Sequence, residues 1–532
     1  MQFTYSKTEL YQLNATPDKK MFWSIISDYD LRTAICELID NSIDVWNKSD
    51  KKTRLEIRLY TDEDTQTIRI EDTAGGVDEA ELRHLVSPGS SNNDPTGKSI
   101  GVFGVGSKRA VVALAAQTSI QTRKGSGKSF QIDVNDAWLA EEGWDIPVYE
   151  IPSIDNDTTT IELFKLRTPL RKDDVDLLER HVRETYALFL EDARVSISLN
   201  GTPLNPIKFD AWAFPPNFEP IKVESVSDFQ NSGVVFFRVT GGLIRDREPN
   251  TENYGVYIYC NNRLVAQEVK SRDVGYYNSA EAGVPHPDAS ICRVIVELDG
   301  PARLMPWTSA KNAVNPENPT FRAVRPTIVR LLSHFTTLSR RTKNSWDVDV
   351  FSHTAGEIRK QELDDVATPR KLNLAPLPRA RKGLSEQLKA DNLETVTQQP
   401  WTLGFIEAII ATDVLKRQRF DTANRMALIF LDSTFEIALK EYLVHSPADF
   451  PIRIYNDEKI KQIFNDRRVV IREIASKVRI PDDLLRRANH YYGLRNKLIH
   501  ERATASVTDN DIRNYREVIE RVLEILFGLR FS

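Results

Sequence analysis

ELIDNSID, residues 37–44, is the stretch from which the rest of the chain is read. Glu37, Asn41 and Asp44 fall at i, i+4 and i+7, so on a helix they share one face. Leu31, Ile35, Leu38 and Ile39 form an apolar stripe on the other side. The spacing therefore predicts a helix that packs its apolar stripe on a sheet and turns a polar stripe toward a cavity. A carboxylate there can orient water for attack on a terminal phosphate, and an amide oxygen one turn away can help hold magnesium. Alone, such a stripe reads more simply as a solvated face.

The flanking sequence supplies two further signals. LEIRLY (55–60) and TIRIED (67–72) alternate as strands, and IRIEDTAGGV (68–77) runs from a strand into Asp72, then Gly75 and Gly76. Glycines let the backbone turn tightly and admit a flat base, and Asp72 can accept a hydrogen bond from an adenine amino group. By itself this is also how an ordinary turn is written. GVFGVGSKRAVVALA (101–115) places Gly101, Gly104 and Gly106 just before a helix, where free amides and the positive helix end can meet phosphate oxygens. The polar strand TTTIEL (158–163) follows. Acidic helix, strand with Asp and glycines, glycine-rich segment, helix and polar strand, in that order, make a stronger case than any one motif.

These segments resemble the N-box, the D-x-G-x-G box, the glycine lid and the late threonine motif of the GHKL superfamily (gyrase, heat-shock chaperone, histidine kinase and MutL). The resemblance implies a Bergerat-type α/β sandwich that binds ATP with Mg2+ and hydrolyses it. By position Glu37 resembles the general base, Asn41 the magnesium ligand, Asp72 the adenine-reading carboxylate and Thr160 the threonine beside the adenine. Asp44 is placed with the ATP-binding residues, and Gly76, Gly101, Gly104 and Gly106 match the glycines of the base and phosphate walls. Lys108 either adds positive charge near the phosphates or is an exposed first-turn lysine. Ala74 departs from the second box, which more often has glycine, but leaves Asp72 and Gly76 in register.

Further on, VVFFRV (234–239), YGVYIYC (254–260) and CRVIVEL (292–298) read as strands, and the stretch 174–190 reads as a helix. YGVYIYCNNRLV (254–265) and LMPWTSAKNAVN (304–315) resemble the strand-and-loop and lysine loop of the S5-like transducer domain of MutL and MORC ATPases. That resemblance implies that Lys311 reaches the γ-phosphate and that ATP closes a homodimeric clamp; a surface lysine in a polar loop is the plainer reading. PRKLNLAPLPRARKG (369–383) is charged and proline-spaced, which predicts an extended linker over 346–400. Long amphipathic patterns such as 422–443 and 512–529 then predict an all-helical domain.

Within that last region YYGLRNKLIHER (491–502) carries Arg495 and His500 five positions apart. With its flanking helices it resembles the R-x-x-x-x-H motif of HEPN domains. The resemblance implies a metal-independent endoribonuclease in which Arg495 neutralises a phosphate, His500 moves protons and Asn496 orients the RNA. A helical dimerisation domain in which Arg495 and His500 are structural is the alternative.

The expected layout is a GHKL ATP-binding domain at 1–167, an S5-like α/β transducer domain at 168–345, a linker at 346–400 and an all-α HEPN-like domain at 401–532. Length agrees, since 532 residues exceed one core. The composition, 41% hydrophobic and 28% charged, is that of a soluble globular protein. Cys36, Cys260 and Cys292 have no metal-ligand spacing, and no apolar run suits a signal peptide or bilayer span, so a cytoplasmic protein without membrane contact is expected. A net charge of −5 gives no global attraction to nucleic acid. The whole-chain reading is an ATP-gated clamp coupled to a ribonuclease, as in bacterial antiviral defence. A DNA-binding clamp with a merely dimerising tail and a chaperone-like ATPase stand as alternatives. The trigger, the RNA or DNA target and any companion protein are not fixed by the sequence.

Overall fold

The computed structural model describes residues 9–11, 19, 29–49, 54–90, 94–101, 104–230, 232–379, 383–417, 420–500 and 506–531, without the side chains of Leu384, Arg417 and His500. The chain divides into two compact units, Met1–Ala380 and Arg381–Ser532.

In the first unit, the helix Leu31–Lys48 starts where Asp30 accepts a hydrogen bond from the Thr33 amide at 2.8 Å. Ile35, Leu38, Ile39 and Ile43 are buried against an eight-stranded sheet, each worth about 1.5–3 kcal/mol of burial. The sheet order is Val148–Ile151, Ser129–Asn135, Ala115–Arg123, Thr158–Leu166, Thr67–Asp72, Leu55–Asp62, Val195–Leu199, Thr202–Pro203. All pairings are antiparallel except Leu55–Asp62 with Val195–Leu199. The period-2 alternation expected of LEIRLY is present: Leu55, Ile57 and Leu59 are buried while Arg58 lies on the outer face beside Glu71.

Two strands of this sheet lie beyond residue 167, and Tyr186 donates to the Cys36 carbonyl and to Asp40 of the first helix. The expected break at 167/168 therefore falls inside a continuous layer, because the helix Lys172–Thr185 and the strand after it complete the first sheet rather than begin the second.

The second sheet has six strands in the order Arg263–Val269, Gly255–Cys260, Cys292–Asp299, Val234–Leu243, Ile221–Asp228, Arg359–Glu362. The helix Pro319–Thr342 packs on it and buries Phe321, Val324, Ile328, Leu331, Leu332 and Phe335. The stretch 346–400 corrects the expected linker. Arg359–Glu362 adds a parallel edge strand, Val350, Leu363, Val366 and Leu372 join the core, and Thr327 donates to the Val366 carbonyl at 2.6 Å. Widely spaced anchors hold this segment down, a pattern that neither helix nor strand periodicity reveals.

The second unit is helical throughout its described residues, with long helices Leu403–Arg417, Ala423–His445, Asp482–His500 and Asp509–Phe527 around a core of its own. Thr508 and Asp511 form a reciprocal cap on the last helix, and Gly528 ends it with φ 71°. The short helices Leu384–Asp391 and Leu393–Gln398, placed in the linker by sequence, belong to this unit. Among the described residues no helix is long and apolar enough to cross a membrane.

Candidate active site

The polar stripe of the helix Leu31–Lys48 sits where the three motifs meet. Glu37 is buried, and both of its carboxylate oxygens accept from Lys311 Nζ, each at 2.7 Å. Behind the carboxylate lies Gly106, where an added Cβ would stand 1.9 Å from Glu37 Oε2. A side chain there would push the Glu37 carboxylate from its place. Asp44, two turns on, accepts from the amides of Ile100 at 2.7 Å and Gly101 at 2.6 Å, tying the helix to the start of the glycine-rich segment. Burial pushes the Asp44 carboxyl up to about 6, against the two amides that favour its charged form.

Asp72 closes the strand Thr67–Asp72 and is buried. Its carboxylate accepts from Ser42 Oγ at 2.8 Å and the Ala74 amide at 2.9 Å, and burial lifts its pKa to about 6. A carboxylate has about four acceptor positions, so two donors leave capacity for an amino group. Gly76 has φ 66°, and a Cβ there would stand 2.0 Å from the Arg123 carbonyl, which lets two segments of backbone touch at one wall of the site. Gly104, with φ 62°, accepts from the Gly89 amide at 3.2 Å, and Gly106 opens the helix Gly106–Leu114. Lys108, in that helix's first turn, is buried rather than exposed. It donates to the Ser90 carbonyl at 3.0 Å, and burial lowers its pKa to about 8.

Asn41 stands exposed on the same helix as Glu37, one turn away. Among the described residues no group of three His, Cys, Asp or Glu side chains is placed to hold a metal ion. The Asn41 carboxamide oxygen is a hard donor of the kind that suits a magnesium ion held otherwise by phosphate oxygens and water.

Thr160 is not brought to Asp72. The register pairs Asp72 with Thr159, so Thr159 shares its face, while Thr160 pairs with Glu71 on the opposite face. Thr159 Oγ1 lies 3.1 Å from Thr122 Oγ1, which also accepts from the Val77 amide just after Gly76. Three successive threonines give no clue to the face; strand pairing decides it.

The structure also adds residues that the motifs do not point to. Asp40, fully buried, accepts from Arg263 Nε at 2.9 and 3.0 Å and from Tyr186 at 2.7 Å, and lies 3.1 Å from Lys311 Nζ. Arg263 Nη1 also donates to the Lys311 carbonyl at 2.7 Å. Burial opposes the charge on Lys311, but Asp40 and Glu37 outweigh it and hold its pKa above the ordinary value. Burial likewise opposes ionisation of Asp40, and Arg263 and Lys311 outweigh it and hold its carboxyl low. The i, i+3 spacing of Glu37 and Asp40 was the available signal.

In the helical unit Arg495 is half-buried, with Nε 3.7 Å from Asp432 and Nη1 donating to Asn496 at 2.9 Å. Asp432 is buried and also accepts from Arg467 at 2.7 Å and Tyr515 at 2.6 Å. The His500 side chain lies outside the described ones, so the expected pairing of Arg495 with His500 has no geometry here.

Residues 29–168 match the family described as histidine kinase-, DNA gyrase B- and HSP90-like ATPase. The match supports a GHKL-type ATPase domain over these residues, a class that binds ATP. No curated protein matches the chain.

Proposed function

We propose that the first unit binds Mg-ATP between Asp72, the glycine-rich segment and the polar stripe of the first helix, and hydrolyses it. The observation that carries this reading is the buried Glu37 carboxylate, packed on Gly106 at the head of a helix and paired with Lys311 from the second sheet's side of the unit. Asp72 accepts the adenine amino group, for which it has free acceptor capacity. The amides that open the helix Gly106–Leu114 and the Lys108 amine face phosphate oxygens. Glu37 orients the attacking water, Lys311 stabilises charge on the terminal phosphate, and Asn41 holds the ion. Bound magnesium neutralises phosphate charge.

Phosphate release from Mg-ATP is the test: wild type turns over, and Glu37→Ala loses at least about 100-fold while still binding nucleotide. A Glu37→Ala protein that hydrolyses at the wild-type rate removes Glu37 from the mechanism.

A second proposal concerns the helical unit. Arg495 is held against a buried carboxylate at one flank and remains partly accessible, a placement suited to meeting a phosphate of RNA. On this reading ATP-driven pairing of two chains regulates RNA cleavage by Arg495 and His500, in a defence role. Incubating RNA with the protein, with and without Mg-ATP, tests it: cleavage lost in His500→Ala supports the ribonuclease. Salt-sensitive DNA binding without cleavage supports the clamp with a dimerising tail.

A further inference from the structure

The ammonium of Lys311 has three N–H donors; it donates to Glu37 Oε1 and Oε2 at 2.7 Å each and forms an ion pair with Asp40 Oδ2 at 3.1 Å. All three side chains are buried, so a bond between them that breaks costs more than it would at the surface. The two carboxylates are not held alike. Asp40 is fixed by both of its oxygens on Arg263 Nε and by the Tyr186 hydroxyl. The loop carrying Lys311 is fastened to the same guanidinium, since Arg263 Nη1 donates to the Lys311 carbonyl at 2.7 Å. Lys311 itself has φ 51°, a left-handed backbone that a residue with a Cβ adopts only when its surroundings enforce it. Arg263 and Asp40 thus form a rigid seat for the amine, while Glu37 takes two of its donors.

We propose that Glu37 and the terminal phosphate of the nucleotide compete for the same Lys311 N–H, so that Lys311 masks Glu37 until a triphosphate draws one donor away, with Asp40 as the positioning residue that keeps the amine in place throughout. This rests on the ATP-site reading above and adds to it a reason for preferring a triphosphate to a diphosphate. One N–H leaves one carboxylate oxygen and meets one phosphate oxygen. The freed Glu37 oxygen becomes the acceptor for a water hydrogen at the moment the phosphate to be attacked is in place. A diphosphate offers nothing at that distance, and the pair stays closed. Idle activation of water in the empty site is suppressed by the same contact.

The competition has a thermodynamic signature that a purely structural ion pair lacks. Affinities for ADP and for a non-hydrolysable ATP analogue, each with magnesium, are measured by calorimetry on the full chain. Neutralising Glu37 (Glu37→Gln) removes the competitor and raises the analogue-to-ADP affinity ratio about three- to tenfold. In a Lys311→Met background the same change leaves the ratio within about twofold, because nothing remains to be competed for. Asp40→Asn loosens the seat and lowers the ratio while ADP affinity holds within about twofold. A Glu37→Gln effect equal for both nucleotides, or one that persists without Lys311, overturns the switch and leaves the ATP site standing. Well-folded wild type that binds neither nucleotide overturns the ATP-site reading and the switch with it.

Discussion

Replacing Gly106 with alanine tests the placement of Glu37 without touching a charged group. Gly106 opens the helix Gly106–Leu114, and its φ is not positive, so the backbone itself accepts alanine and gains up to about 1 kcal/mol. The new methyl would stand 1.9 Å from Glu37 Oε2 and 2.7 Å from Cδ, so the carboxyl group must retreat by about 1 Å. An unpaired side chain would swing away cheaply; Glu37 has both oxygens on Lys311 at 2.7 Å in a buried setting. Breaking a buried pair costs about 3–5 kcal/mol. Asp40 still holds the Lys311 amine, so the lower end applies, and the helix gain offsets part of it. Gly106→Ala is therefore expected to lose about 1–3 kcal/mol in urea unfolding and about 100-fold in ATP turnover, since a misplaced base is an unproductive one. The sign then reverses in a Glu37→Ala background, where alanine at 106 is neutral or stabilising by up to about 1 kcal/mol. Undiminished stability and turnover in the single variant would refute the contact, and with it the position assigned to the base.

Adenine recognition through Asp72 should depend on pH. Its buried carboxyl titrates near 6 rather than 3.8, and the ionised form is the one that accepts the amino group. Nucleotide affinity then falls up to about tenfold per pH unit below 6, while Asp72→Asn binds weakly and shows no such dependence. The same raised pKa means that the unliganded domain has this stability in full below 3.8 and loses it as pH rises through about 6, by up to about 1.4 kcal/mol per unit; a wild-type profile that rises over that interval as steeply as that of Asp72→Asn would contradict this. Thr159→Val breaks the contact with Thr122 and costs about 1 kcal/mol of nucleotide binding, whereas Thr160→Val, on the opposite face, leaves binding within about 0.5 kcal/mol; equal effects would place the threonines wrongly. In the helical unit Asp432→Ala strands the buried Arg467 and costs about 3–5 kcal/mol, seen as an earlier transition of that unit in urea; a loss under 1 kcal/mol would show that the cluster is not buried as described.

The candidate site was legible in the sequence to the extent that its parts are local. Glu37, Asp44, Asp72, Gly76 and Gly106 announce themselves because helix periodicity and turn chemistry act over a few residues. Lys311 came from resemblance, and the structure shows why no local rule points to it: its partner Glu37 is 274 positions away. Asp40 lay within the first motif, yet its buried role depends on Arg263, 223 positions distant, and on Tyr186. Thr159 and Thr160 could not be told apart in a run of three threonines, since the pairing register that sets their faces is a tertiary property. The segment 346–400 looked like a tether because its apolar residues are sparse; Val350, Leu363, Val366 and Leu372 nevertheless each find a place in the core, and Arg359–Glu362 finds a sheet edge.

One titration bears on the central claim more directly than any other. A non-hydrolysable ATP analogue with magnesium, titrated calorimetrically into the full chain at pH 7, should give saturable heat at one site per chain, and Asp72→Asn should weaken it at least about tenfold. Heat absent from well-folded wild type, or a variant that binds as tightly, would contradict a nucleotide held by Asp72.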